Sequence, residues 1–151
     1  MKRLLFALPL FLFFLAGCDD DSDVISFPPE TCGTPIIIAL SNDFPPSDGF
    51  TLVDHSVEGT CLTVRIGASG CSDEGWSLDL RTNGSVAESL PTQTNARLIF
   101  DDGVPGGGAS CLAYFEQEHV FDLSEYLDEG ALPTLLTLTG PDAETRVVGF
   151  E

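Results

Sequence analysis

Short segments in which apolar and polar residues alternate make up most of the chain from residue 50 onwards. Between residues 61 and 68, apolar side chains occupy every second position from Leu62 to Ala68. The same period of two runs from Trp76 to Arg81. Because successive residues of a β-strand point to opposite faces, this period predicts strands that each bury one face.

Further strands are predicted where similar runs lie between turn-forming residues. They cover residues 36–40, 50–57, 96–100, 111–118 with an extension over 120–123, 135–139 and 146–150. Hairpin turns are predicted at 58–60 and 140–142, and Ser124 is expected to cap a single helical turn over 124–127. The chain is therefore predicted to be all-β, with a single Greek-key β-sandwich of about seven or eight strands.

The order Cys61, Trp76, Cys111 resembles the cysteine, tryptophan, cysteine order of immunoglobulin domains. In that family a tyrosine stands two residues before the second cysteine, and here Ala109 occupies that position. The resemblance therefore implies an immunoglobulin-like architecture and does not extend to membership of the family.

The N-terminus combines the basic pair Lys2-Arg3 with an apolar run over residues 4–17. This run is shorter than the roughly 20 residues that a transmembrane helix needs, and acidic residues follow at 19–21, so it predicts a secretory signal. Residues 15–18, Leu-Ala-Gly-Cys, resemble the lipobox of bacterial lipoproteins. The resemblance implies cleavage after Gly17 and a lipid on Cys18, which would make the membrane a partner through that lipid.

Three segments follow from this interpretation: a signal peptide over residues 1–17, a lipidated acidic tether over 18–31 and a folded domain over 32–151. The tether contains Pro28-Pro29 and several aspartates, and it has too little apolar surface to fold by itself. The folded domain, at about 120 residues, has a normal size for one hydrophobic core.

The composition of the mature chain is strongly acidic. Removal of residues 1–17 leaves four arginines and no lysine against 24 acidic residues, a formal charge of −20. Direct binding to nucleic acid is therefore not expected, because it depends on Lys and Arg. The acidity fits three interpretations: adaptation to a saline habitat, binding of divalent cations, or binding of a basic partner.

Aspartates in two loops are candidate calcium ligands. They are Asp101 and Asp102 in one loop, and Asp43 with Asp48 in the other. Carboxylate oxygens suit calcium, but aspartate is also common in turns for conformational reasons. No cofactor is therefore predicted, and calcium is kept as an alternative at these two loops.

Four cysteines, Cys32, Cys61, Cys71 and Cys111, remain once Cys18 carries the lipid. In an exported protein such cysteines normally form disulfides, and four of them allow three pairings. The pairing that we favour joins Cys32 to Cys61 and Cys71 to Cys111. Zinc is the less favoured alternative, because the sequence lacks the closely spaced cysteine pairs of zinc sites.

Candidate catalytic groups are few. His55 follows Asp54 and His119 follows Glu118, but neighbouring residues of a strand point to opposite faces and do not form a dyad. The glycine-rich segment 103–108 lacks the lysine that follows a phosphate-binding loop. No catalytic residue is assigned, and an enzyme is not predicted.

Three short patterns, at residues 69–71, 88–93 and 121–124, resemble those of uncharacterised small bacterial envelope lipoproteins. The resemblance extends over about residues 50–127. This chain departs from it at Gly75, where a histidine is expected a few residues after the cysteine. The resemblance supports a β-sandwich and implies no particular activity.

The sequence thus predicts a lipid-anchored, non-catalytic binding or structural module of the cell envelope, with an unknown protein or polysaccharide partner. One alternative is a cation-dependent carbohydrate-binding domain with Trp76, Tyr114 or Tyr126 as a stacking platform. Another is an inhibitor of an envelope enzyme that acts through loop 101–110. The acidic residues 19–21 and Asp23 favour the outer membrane, and the cell surface, over the inner membrane.

Protease treatment of intact cells tests the predicted location. We expect external protease to remove the domain, because an acidic run after the lipidated cysteine resembles the surface-export signal of the Bacteroidota. Permeabilised cells are the control, since the domain is then accessible from any compartment. Survival of the domain in intact cells, with loss after permeabilisation, would show that it faces the inside of the envelope.

Overall fold

The computed structural model describes residues 31–39, 41–105, 111–127 and 132–151. Within them the chain forms two β-sheets that pack on each other. Sheet I has the order β1-β8-β4-β3, with β1 at Thr34–Pro35, β3 at Thr51–Glu58, β4 at Cys61–Gly70 and β8 at Ala113–Asp122. Sheet II has the order β10-β9-β7-β5-β2, with β2 at Ile37–Ile38, β5 at Ser77–Thr82, β7 at Thr92–Asp101, β9 at Thr134–Thr139 and β10 at Thr145–Phe150. The short β6 at Val86–Ala87 also pairs with β7, and a 3₁₀ turn over Pro141–Ala143 joins β9 to β10.

The hydrophobic core lies between the sheets and follows the period of two in the sequence. Leu62, Val64 and Ile66 of β4 are fully buried, and they belong to one cluster with Leu98 of β7 and Leu136 of β9. Residues between them point outwards, which gives each strand one apolar and one polar face. The predicted all-β sandwich is confirmed.

Three strand pairs are parallel: β1 with β8, β2 with β5, and β7 with β9. The hydrophobic pattern does not predict these pairs, because it identifies strands without identifying their partners. Strands β7 and β9 are neighbours in sheet II although β8, which lies between them in sequence, belongs to sheet I. Such crossings between sheets allow two strands of the same direction to pair.

The segment predicted as a strand over residues 36–40 is a crossing from one sheet to the other. Strand β1 pairs with β8 of sheet I and β2 pairs with β5 of sheet II, with the buried Ile36 between them. The Ile36 N–H donates to the Asp122 carbonyl at 3.1 Å. Ile36 enters the core, whereas Ile38 of the same apolar run is 48% exposed. Leu40 lies outside the described residues.

The helical turn predicted after β8 is present, but Ser124 is not its cap. The Leu127 N–H donates to the Leu123 carbonyl at 2.8 Å, which closes one turn. The Asp122 carboxylate accepts the N–H of Ser124 at 2.9 Å, so the capping side chain lies two residues earlier than expected. No helix in the described part of the chain is both long enough and apolar enough to span a membrane.

Two disulfides hold both ends of β4. Cys32, just before β1, is bonded to Cys61 at the start of β4, with the two Cα atoms 6.0 Å apart. Cys71, just after β4, is bonded to Cys111, just before β8, with a Cα–Cα distance of 4.7 Å. These are the two pairs that the sequence analysis favours, and they fasten the central strand of sheet I to its surroundings.

We expect the double substitution Cys71→Ser/Cys111→Ser to lower the free energy of unfolding by up to about 4 kcal/mol. This is the chain-entropy value for a loop of this length, whose ends are 40 residues apart in sequence. Urea denaturation followed by far-ultraviolet circular dichroism measures the change. The matched control is Cys32→Ser/Cys61→Ser, which opens a loop of 29 residues and should cost slightly less. An unchanged free energy in the first variant would contradict the prediction.

Candidate functional site

A groove lies on the face of sheet II that points away from the core. On β7, Ala96 and Leu98 are buried, whereas Asn95 and Arg97 alternate with them and are exposed on the opposite face. The groove has a volume of about 320 Å³, within the lower range of small-ligand sites. Its walls are formed by Asn42, Phe44, Asn83, Asn95, Ala96, Arg97 and Thr139.

The loop over residues 41–49 contributes one side of the groove and is fastened at both ends. At one end the Asn83 amide donates to the Asn42 side-chain oxygen at 2.6 Å. At the other, the Ser47 hydroxyl accepts the Phe100 N–H at 2.9 Å, and the Asp48 N–H donates to the Phe100 carbonyl at 2.9 Å. These bonds fix the loop to β5 and β7, so the groove is formed before any ligand arrives.

Two arginines stand directly opposite each other on the grooved face. The register of β5 and β7 pairs Arg81 with Arg97. Arg81 is neutralised by Asp79, whose carboxylate lies 2.8 Å from the guanidinium Nη2. Within the described residues, Arg97 has no carboxylate within ion-pair distance. The guanidinium that lines the groove is thus the uncompensated one.

The outer face of sheet I carries a smaller depression around Arg65. Its volume is about 120 Å³, well below that of typical ligand sites. Arg65 lies 3.6 Å from the Asp54 carboxylate and 3.8 Å from that of Glu116. Because its charge is already compensated and its volume is small, this depression is a weaker candidate site than the groove.

Two of the three predicted stacking aromatics are used inside the fold. Trp76 is buried, with 8% of its surface exposed, and packs edge to face against Phe100 with ring centroids 5.0 Å apart. Tyr126 is half-buried, and its hydroxyl forms hydrogen bonds with the hydroxyls of Thr94 and Thr82. Neither ring presents a free face on which a sugar could stack.

Tyr114 is the remaining aromatic candidate and lies on the outer face of sheet I. Its side chain is 53% exposed and covers Gly67, where a Cβ atom would collide with the tyrosine ring. An aromatic side chain over a strand glycine restores the packing that the glycine lacks. Tyr114 therefore has a structural role on one side of its ring, and the stacking prediction remains open only for the other side.

Neither histidine has a catalytic partner in the described part of the chain. Val64 of β4 is paired with His55 of β3 on one side and with His119 of β8 on the other. Because Val64 faces the core, both histidines lie on the inward face of sheet I. Their neighbours Asp54 and Glu118 pair with Arg65 on the outward face. The buried Nε2 of His119 has no hydrogen-bond partner there. Burial lowers the pKa of His119 below its ordinary value of 6.5.

Three of the four candidate calcium ligands come together. Carboxylate oxygens of Asp48, Asp101 and Asp102 lie within 4.8 Å of one another, and Asp43 is not part of the group. Each of the three already accepts a backbone N–H; the donors are Asp102 for Asp48, Gly103 for Asp101 and Val104 for Asp102. The three carboxylates therefore lie close together because each takes part in a turn. Calcium binding at this loop stays a prediction.

Other predicted features fall outside the described residues. Cys18 and the acidic residues that follow it lie there, as do residues 106–110 of the loop proposed for enzyme inhibition. The lipid attachment and the inhibitor alternative therefore stay predictions.

The groove is not predictable from the sequence, because its lining residues come from four separate segments: the loop before β3, the end of β5, the middle of β7 and the end of β9. Each of these residues is unremarkable in its own segment. The available signal was Arg97, one of only six Lys and Arg residues in the chain.

Comparisons with known proteins identify similar folds and no family. No family model matches the chain, and no curated protein matches it. A protein of unknown function, DUF1344, from Bacteroides vulgatus has a TM-score of 0.52 and 16% identity, over 78% of this chain and 56% of its own. A NigD-like immunity protein from Bacteroides caccae has a TM-score of 0.45 and 12% identity, over 77% of this chain and 58% of its own. This chain thus spans little more than half of either structure, and at 16% identity the first similarity concerns the fold alone.

We expect stability to fall as the pH drops below 6.5, in part through His119. The half-buried imidazole resists protonation in the folded state, while the unfolded state takes up a proton near its ordinary pKa of 6.5. Stabilisation from this group is therefore complete above pH 6.5 and is lost as the pH falls towards the lowered folded pKa. Urea denaturation midpoints at pH 7.5 and 5.5 measure the effect.

The variant His119→Gln should lose less stability than the wild type between these two pH values. His55→Gln is the matched control, because it removes the only other histidine of the chain and leaves His119 in place, so the loss that comes from His119 should remain. Equal losses in the wild type and in His119→Gln would show that other groups determine this part of the pH dependence.

Proposed function

We propose that this chain is a lipid-anchored, non-catalytic binding module of the bacterial cell envelope. The observation that carries the proposal is the groove on sheet II, whose lining combines three amides, a hydroxyl and a guanidinium with one aromatic ring. Such groups suit recognition of a polar ligand through several hydrogen bonds. The lining contains no histidine, cysteine or carboxylate to serve as acid, base or nucleophile, so binding without chemistry is favoured.

The first residues of the folded domain are held firmly to both sheets, which supports attachment to a membrane through the N-terminal side. Fully extended, residues 19–31 reach at most roughly 45 Å from Cys18. Cys32 follows and is bonded to Cys61 of β4, and β1 and β2 then pair with both sheets. Tension on a lipid at Cys18 would pass through a covalent bond into the centre of sheet I, which suits a tethered module.

The location that we propose is the outer membrane, with the domain at the cell surface. The proposal rests on the acidic residues 19–21 and Asp23 close behind Cys18. The charge of the chain agrees with it, because a protein with 24 acidic residues is repelled by anionic lipid headgroups.

Metabolic labelling with radioactive palmitate tests the anchor. We expect the wild-type protein to incorporate the label and to partition into the detergent phase, because several acyl chains hold a protein firmly in a bilayer. Cys18→Ser should lose both properties. Cys111→Ser is the control, since it also removes one cysteine but leaves the proposed lipid site intact. Labelling of Cys18→Ser, or no labelling of the wild type, would refute lipid anchoring.

A further inference from the structure

The geometry points to a binding site for a sugar that carries one negative charge, a carboxylate or a sulfate ester, in the groove beside Arg97. This inference rests on the proposed binding function and specifies its ligand. The ligand's charged group would bind the Arg97 guanidinium, and its hydroxyls would bind the surrounding amides. The site belongs to the face of sheet II that points away from the core.

Arg97 carries a positive charge that no carboxylate among the described residues compensates. Two like charges directly opposite each other on neighbouring strands are destabilising, and the mature chain has only four arginines to distribute. Two of them nevertheless form the cross-strand pair Arg81 and Arg97. Asp79 neutralises only Arg81. In a chain with 24 acidic residues, an arginine left without a carboxylate within the described residues indicates that its partner comes from outside.

The groove around Arg97 is lined mainly by side chains that can form hydrogen bonds. Asn95 and Arg97 lie on β7, Asn83 directly follows the end of β5, and Asn42 is held against Asn83 by a hydrogen bond of 2.6 Å. Side-chain amides both donate and accept hydrogen bonds, as sugar hydroxyls do. Phe44, half-buried in the same wall, supplies an apolar surface for the C–H face of a sugar ring. A volume of about 320 Å³ suits a small ligand and not a long peptide.

The lining of the groove favours a ligand group with a single negative charge. One guanidinium can form two parallel hydrogen bonds with a carboxylate or with a sulfate ester. No second cation lines the groove, and the whole chain is negative, so a dianionic phosphate monoester would be poorly compensated. A single negative charge per sugar matches the single available guanidinium.

Isothermal titration of the full mature protein, purified in detergent at 0.15 M salt, tests the inference. The probes are galacturonate, galactose 6-sulfate and neutral galactose. We expect one or both anionic sugars to bind at least tenfold more tightly than galactose. If only galacturonate binds, the charged group of the ligand is a carboxylate. If only galactose 6-sulfate binds, the charged group is a sulfate ester.

Substitution of Arg97 by glutamine should weaken binding of the anionic sugar at least tenfold and leave the free energy of unfolding unchanged or higher, because it removes the cross-strand repulsion. Arg146→Gln is the matched control: it makes the same change of net charge at an exposed arginine that is paired with Glu144 outside the groove. Binding by the Arg146→Gln variant should equal that of the wild type.

Three results would overturn the inference: no binding of either anionic sugar at 10 mM, equal binding of galactose, or equal loss in both arginine variants. Each would leave the proposed anchoring untouched, because palmitate labelling of Cys18 judges that separately. Conversely, if the wild-type protein takes up no palmitate but binds the anionic sugar through Arg97, the missing label refutes the anchor and the titration retains the sugar site.

Discussion

Phe100 connects the hydrophobic core to the loop that forms the groove. Its ring packs edge to face against Trp76 at 5.0 Å and against Phe50 at 5.7 Å between centroids, and each such pair adds about 0.5–1.5 kcal/mol beyond simple burial. Its backbone N–H and C=O hold Ser47 and Asp48 of the loop. The loop is therefore fastened to β7 at the residue whose ring packs against both Trp76 and Phe50.

Charge is the second constraint on this molecule. With a formal charge of −18 on the chain, self-repulsion opposes compaction unless salt screens it or cross-links resist it. Both disulfides attach to the ends of β4 and limit how far the chain can expand. Of the four arginines that the structure describes, Arg65, Arg81 and Arg146 lie beside carboxylates. Arg97 is the one without a carboxylate partner among the described residues.

Prediction from the sequence succeeded where a strand has one buried face. The alternation around Leu62 and Leu78 gave β4 and β5 with nearly correct bounds. It failed at the start of β7, which was expected at Ala96 and begins at Thr92. Thr94 faces the core there, and its hydroxyl is satisfied by Tyr126 and by the Ser85 carbonyl. A polar residue at a buried position looks like a surface residue until its partners are known.

The sequence by itself predicted the strands that bury one face, the hairpin turns and the acidity, because each depends on neighbouring residues or on simple counts, whereas the disulfide pairing that we favoured was one of three that it allowed. The tertiary structure alone decided the parallel pairs and the crossing at Ile36. It also decided the meeting of Asn42, Asn83 and Arg97 in one groove. These residues come from segments that are far apart in the chain, and only the register of β5 with β7 sets Arg81 against Arg97. Local patterns carry the period of a strand, but they do not carry the identity of its neighbour.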